Sequence, residues 1–439
     1  MMGISMKHEA VELLSRYLKI NTTNPPGNEN KGVAFFADIL EKEGMAYKTY
    51  EASPGRGSIR AVIPGTGEKG AVILLNHIDV VAARADDWRV DPFSGEIKDG
   101  FIYGRGALDM KGQGILELLA FLELKRKGLT PCRDLIFLAV ADEEAGGVNG
   151  VKYLLDHHGE EFQADLVINE GGFGLSSVLP DRPLFMIATA EKGVCRVRLT
   201  RSGPPGHGSA PHGENALEKL VQGLNRLLAK ENPVIITPLI AEYFKQLASS
   251  WEFLKPYVQD GKSETLIEVL TQNGMLDIPQ MAAMLKNTIS LNLLHAGDKV
   301  NVIPSAAEAQ LDIRLLPGID PGAVIAEIKD ALADEAIKVE SSRASRASES
   351  SMETEDFDII KRIHLDHFPD AVAVASLLFG ASDSRFFREK GVPCYGVCPM
   401  LISLEDLGKV HGIDERISEE NMIRGTEVFI DMVRTLCRV

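Results

Sequence analysis

The sequence predicts an α/β protein in which an open, mostly parallel sheet is interrupted by a compact α+β sandwich. Three observations carry this. Continuous apolar runs such as Ala71–Leu75 and Leu135–Ala141 read as strands buried on both faces. Segments with helical spacing alternate with them. From Gly193 the order changes to β-α-β-β-α-β, a unit able to fold by itself. A chain of 439 residues is long for one core, and the reading divides it accordingly. A first domain covers 1–192 and resumes at 349–439, and a second covers 193–348 with a helical insertion at about 233–286.

In order, a helix over about residues 6–19 ends at the Asn21-Thr-Thr-Asn-Pro-Pro-Gly loop, and a second carries Phe35, Ile39 and Leu40. Strands follow at 46–51, 59–64 and 71–75, then Phe101-Ile102-Tyr103, a helix over 114–127, and strands at 135–141 and 165–170. In the sandwich, strands are expected at 194–200, 289–294, 308–315 and 337–341, with helices over 215–230 and 321–333. Within the insertion, Leu239, Tyr243, Phe244, Leu247, Trp251 and Leu254 mark an amphipathic helix read as core or dimer contact, and Ser263 reads as a helix cap. Ser/Glu-rich 342–355 reads as a linker. Helices are then expected at 356–367 and 418–437, with a strand at 392–397.

Chemistry gathers at strand ends. Asn76-His77-Ile78-Asp79, the glycine-rich turn around Asp109, Asp142-Glu143-Glu144 and Glu170 each end or follow an apolar strand, where parallel sheets place active sites. Burying a carboxylate costs several kcal/mol unless it is paired or metal-bound. One such acid is an ordinary helix cap, whereas four clusters with a histidine and no lysine surplus call for a cation. The glycines around Asp109 would suit a phosphate as well as a metal, but the acidic neighbours rule against an anion.

The net charge of −16 and a pI near 5.2 argue against nucleic acid or an anionic membrane surface as partner. No apolar run approaches the ~20 residues of a membrane span, and the first residues read as an amphipathic helix rather than a signal peptide. Five scattered cysteines fit a reducing, cytoplasmic setting. Cys394 and Cys398 could bind metal, but no second pair completes a site, which favours burial. The same choice faces His364 and His367, read as a solvated helix face. His8, His157, His158 and His295 lack ligand-like settings, and His212 is read as surface.

Five motifs in order carry a resemblance that runs nearly end to end. They are His77-x-Asp79; Trp88 to Phe93 with Gly104-Arg-Gly-Ala-x-Asp109-Met-Lys-Gly; Asp142-Glu143-Glu144; the His207 loop; and His411-Gly-x-x-Glu415. The chain resembles the aminoacylase, acetylornithine deacetylase, succinyl-diaminopimelate desuccinylase and carboxypeptidase G2 family of di-zinc metallopeptidases. The insertion and the Asp383-Ser-Arg385-Phe segment make it most like the aminoacylase and carboxypeptidase S branch. The resemblance implies a di-zinc aminopeptidase-like catalytic domain with an inserted ferredoxin-like lid and dimerisation domain, in a homodimer.

It further implies that Asp109 bridges two Zn2+ ions, with Co2+ or Mn2+ as possible substitutes. His77 and Glu170 complete one site, Glu144 and His411 the other, leaving room for a bridging hydroxide. Asp79 would orient His77, and Glu143 would act as general base. His207, from the partner subunit's lid, would bind the developing oxyanion, with Asp312 orienting it. Asn301, Arg385 and, third, Arg314 would hold a substrate carboxylate. A cis peptide is expected at Asp109–Met110. The implied activity is hydrolysis of an amide bond beside a free carboxylate, in an N-acyl amino acid or short peptide. Deacylase and carboxypeptidase or dipeptidase action remain alternatives. More distant ones are a non-catalytic metal-binding homologue and an enzyme working in the synthetic direction.

Overall fold

The computed structural model describes the backbone of residues 3–439 and side chains from Glu9 onward, so His8 lies outside the described side chains. The large sheet is mixed. At its centre Leu135–Val140, Val72–His77, Leu166–Asn169 and Cys394–Gly396 run parallel, side by side in that order. The first three are buried at every position, as their apolar runs require, with Asn76, His77 and Asn169 the polar residues at the carboxyl ends. Their carboxyl ends bring Glu143 and Glu144, His77, and Glu170 to one edge.

Helix Lys111–Arg126 packs beside this sheet and under the last helix, Glu419–Leu436. A three-stranded ribbon of Ile97–Lys98, Phe101–Tyr103 and Arg416–Ser418 joins two distant stretches. It sets the loop carrying His411 beside the turn carrying Asp109. The Asp109–Met110 peptide is cis, as expected.

The small sheet has the order Thr288–Ala296, Ala306–Leu315, Gly193–Ser202, Ile337–Ala344, all antiparallel. Helices Ala216–Ala229 and Pro321–Leu332 cover one face, over a separate core of Val197, Leu199, Leu224, Ile313 and Ile328. This is the ferredoxin-like order.

The insertion follows the small sheet's first helix in sequence, and its apolar stripe is core, one of the two readings given to it: Leu239, Tyr243, Phe244 and Leu285 join the large core, with helix Pro238–Leu247 lying on strand Val372–Leu378. Lys192, where the chain crosses between the sheets, donates to Ala283 O at 2.9 Å and Lys286 O at 2.8 Å, tying the end of the insertion to the crossover. Three expectations need correction. Ser263 opens helix Ser263–Gln272 but does not cap it; Lys262 occupies that position. The 342–355 stretch is not a free linker. Strand Ile337–Ala344 enters it, and Ser348–Glu349 pairs with Arg182–Glu191, where the buried Glu191 binds Arg388. His364 is buried with Nδ1 on Ile360 O and His367 pairs with Asp431, so the two never converge on a shared ligand. Cys394 and Cys398 are buried free thiols, as read.

Candidate active site

His77 ends its strand with Nδ1 2.9 Å from the main-chain oxygen of Asp79. A carbonyl only accepts, so Nδ1 keeps its hydrogen and Nε2 offers the lone pair to a cation. The Asp79 carboxylate has a different task from the one expected. It stands 3.7 Å from the ring but accepts the main-chain N–H groups of Glu143 and Glu144 at 3.2 and 3.1 Å, and Asn24 at 2.8 Å. Asp79 therefore orients the glutamate turn through its side chain and His77 through its backbone. Asp142, before that turn, holds φ 75°, a conformation unfavourable to non-glycine residues. Arg56, Asn149 and Asn24 all bind its carboxylate and hold it there.

Asp109 stands between two histidines. Its Oδ1 lies 3.1 Å from His77 Nε2, and its Oδ2 lies 3.0 Å from His411 Nε2. Glu170 reaches His77 at 3.7 Å, and Glu144 reaches His411 at 3.3 Å. Ligand atoms of His77, Asp109 and Glu144 fall within 4.8 Å of one another, as do those of His77, Glu143 and Glu170. The five residues read as ligands thus converge, with Glu143 among them.

The electrostatics of this cluster suit cations. In the metal-free protein burial pushes Glu170 up to about 7 and Glu144 upward. Burial, reinforced by the charge of Glu170, pushes Glu143 well above the carboxylate range. Burial also acts on Asp109, but hydrogen bonds with His411 and His77 outweigh it and hold that carboxyl low. Glu144 Oε1 is buried without a hydrogen-bond partner. Imidazole nitrogens and carboxylates in this arrangement fit a pair of divalent ions.

Two residues had no role in the sequence reading. Glu415 was visible only as the end of a motif. It is fully buried: Oε1 accepts from Leu108 N at 2.8 Å and Asp109 N at 3.2 Å, and Oε2 from Arg105 at 2.7 Å and Gly106 N at 3.1 Å. It binds the Asp109 turn to the His411 loop. Glu415→Gln is expected to weaken metal binding by about 10–100-fold, the usual cost of losing a group that positions ligands, measured by metal titration. Unchanged affinity would make it a purely structural brace. Asp383 is buried with neither oxygen hydrogen-bonded, 4.0 Å from Arg385, and burial pushes it up to about 7.

The remaining predicted residues sit on or against the small sheet. Gly206–His207 pairs with Val302–Ile303, and Gly208 N donates to Asn301 O at 2.8 Å, so His207 and Asn301 share one ribbon. His207 Nδ1 receives Ser209 N at 3.1 Å and lies 2.7 Å from Ser209 Oγ, which leaves Nε2 carrying the hydrogen. Asp312 is not its orienter; it binds Arg314 at 2.7 Å. Arg385 donates to Ser382 O at 2.5 Å and Gly146 O at 2.8 Å. His212, read as surface, is half-buried with its ring against Gly206.

A parallel-sheet edge carrying this histidine–carboxylate set defines a metal-dependent hydrolase. The model for peptidase family M20/M25/M40 matches residues 73–435, and the chain belongs to that family. It is 32% identical over 357 residues to the human N-fatty-acyl-amino acid synthase/hydrolase PM20D1, covering 79% of this chain and 70% of that protein. It is 29% identical over 444 residues to aminoacylase-1 of Sus scrofa, covering 100% of this chain and 97% of that protein. A crystal structure of the M20 metallo-carboxypeptidase Sso-CP2 from Sulfolobus solfataricus superposes with a TM-score of 0.75 at 21% identity, covering 97% of this chain and 99% of that one. Among the described residues no helix is long and apolar enough to cross a membrane.

Proposed function

We propose that this hydrolase cleaves the amide bond next to a free carboxylate in N-acyl amino acids or short peptides, using two zinc ions. His77 and Glu170 would hold one ion, Glu144 and His411 the other, and Asp109 both. The reading rests above all on Asp109, whose two oxygens each face a different histidine. When bound, such a metal pair acidifies a water and polarises the scissile carbonyl.

The chain's own groups do the rest. Glu143 takes the proton of the attacking water and passes it to the leaving nitrogen. Asp79 holds the Glu143–Glu144 turn through both main-chain N–H groups. His207 donates from Nε2 to the oxyanion as it forms. In this reading His207 and Asn301 act across the interface of a homodimer, and strand Thr288–Ala296 supports this as an open edge with Leu293 and Leu294 exposed. Arg385 and Arg314 flank the substrate carboxylate. We keep the division at 193 and 348, which the two crossovers between the sheets support, and free buried cysteines support a cytoplasmic setting.

The test is hydrolysis of a panel of N-acetyl amino acids, longer N-acyl amino acids and dipeptides, with metal content measured on the same sample. Turnover of the acyl compounds with little dipeptide cleavage makes it a deacylase, and the reverse a peptidase. A fully loaded metal site with no hydrolysis of any of them overturns the proposal in favour of a binding homologue.

A further inference from the structure

The loop of residues 21–29 carries no metal ligand and no acid or base of the reaction, yet it is built into the site. Val80 N donates to Thr22 O at 3.2 Å, and Asn24 N donates to Val80 O at 2.9 Å. The loop therefore lies along the stretch of chain that follows His77. From there Asn24 Nδ2 reaches two carboxylates, Asp79 at 2.8 Å and Asp142 at 3.3 Å.

The rest of the loop closes around Arg56, which stands just before strand Gly57–Ile63. Arg56 Nη1 donates to Asn24 Oδ1 at 3.1 Å and to Pro26 O at 2.9 Å. Its Nη2 donates to Asp142 Oδ1 and lies 3.0 Å from Glu29 Oε1. Gly27 covers the guanidinium: a Cβ there would come within 2.5 Å of Nη1, and its φ is +86°. Glu29 is fully buried, and among the described residues Arg56 is the one cation within ion-pair distance of it.

Such a cluster adds little to stability. Burying a guanidinium between two carboxylates carries a desolvation penalty that their attraction barely offsets, and apolar side chains would pack as well. What the cluster fixes is direction. A planar fork with two acceptors on each Nη has one orientation available, and Asp142 meets it there with φ 75°. The next two residues are Glu143 and Glu144. Asp79 holds their main-chain N–H groups, while Arg56 holds the residue before them, so the turn is gripped from two sides.

We propose that Arg56, seated by Glu29, is a positioning residue: through Asp142 it aims the Glu143–Glu144 turn and ties that turn to the 21–29 loop. The inference rests on the hydrolase reading and adds to it a residue that never touches substrate. Because Glu144 is read as a metal ligand, a displaced turn would reach the metal as well as the base.

The test follows kcat, KM, zinc binding and melting temperature in four variants. Arg56→Ala is expected to lower kcat for an N-acetyl amino acid about 10–100-fold and to weaken zinc binding by a similar factor, the range for losing a group that positions ligands, with KM moving less than about threefold. Lysine lacks the planar fork, so Arg56→Lys should recover only part of the loss. Glu29→Ala should lower kcat in the same direction by less. Arg133→Ala is the control: Arg133 is as buried, pairs with Asp356 at 3.4 Å and lies at the other end of strand Leu135–Val140. It should lower the melting temperature and leave kcat and zinc affinity unchanged.

A lower melting temperature alone in Arg56→Ala would overturn the proposal, and so would a loss carried by KM with kcat intact. Should Arg56→Ala fail to fold, Arg56→Lys and Glu29→Ala decide, and normal kcat and zinc affinity in both would overturn it. If the unaltered protein hydrolyses none of the substrates, the hydrolase reading falls and zinc titration decides by itself. Weaker binding in Arg56→Ala then keeps Arg56 as the residue that aims Glu144, and unchanged binding removes it.

Discussion

Replacing Glu143 with glutamine is expected to lower kcat by about 10²–10⁴-fold, the range for losing a positioned acid–base group, with metal content unchanged. Glutamine has nearly the same shape, and the turn is held through main-chain N–H groups that the substitution keeps. What disappears is a group able to accept a proton from water. The prediction is sharp because Glu143 lies within ligand distance of His77 and Glu170. If it were a ligand rather than a base, the variant would lose metal together with activity. Metal analysis beside steady-state kinetics separates the two, and near-normal turnover would remove Glu143 from the chemistry altogether.

Stripping the metal should cost the protein several degrees of thermal stability, and the loss should deepen as pH rises. A ligand at about 100 times its dissociation constant stabilises the fold that binds it by about 2.7 kcal/mol. The pH dependence follows from Glu170, which burial raises from 4.5 to about 7 in the metal-free fold. Between those values the folded metal-free protein holds a proton that the unfolded chain has lost. Its stability from this group is therefore present below about 4.5 and lost as pH rises through about 7. The metal-bound fold needs the carboxylate ionised and escapes that loss. Melting temperatures with chelator and after back-titration with zinc should diverge more at pH 7.5 than at pH 5.5. A gap that stays flat or narrows would take the metal away from this set of residues.

The parts of the site that lie at strand ends were legible in sequence, because an unbroken apolar run that stops at a cluster of acids marks a buried strand opening onto a polar site. His77, Asp109, Glu143, Glu144 and Glu170 belong to that class. The hairpin of Gly174–Leu179 and Arg182–Glu191 was missed, as was Val372–Leu378, whose alanines and serine dilute the strand signal. Pairwise facts were hidden for a different reason. Glu415 reaches the Asp109 turn across some three hundred positions of chain, a distance over which local pattern says nothing. The exchange of roles at Asp79, with carbonyl to histidine and carboxylate to the glutamate turn, depends on a main-chain direction that no residue type specifies.

The helical insertion gives the molecule a cooperativity that its two-sheet layout would not suggest. Its ends are spliced into the small sheet, its apolar side chains are part of the large core, and Lys192 fastens one end at the crossover. Melting of the small sheet would therefore pull on a wall of the large one, and loosening that wall would free the small sheet's tether. The two parts are bound to rise and fall together, and rotation of one over the other is confined to what the insertion can follow without leaving strand Val372–Leu378 bare.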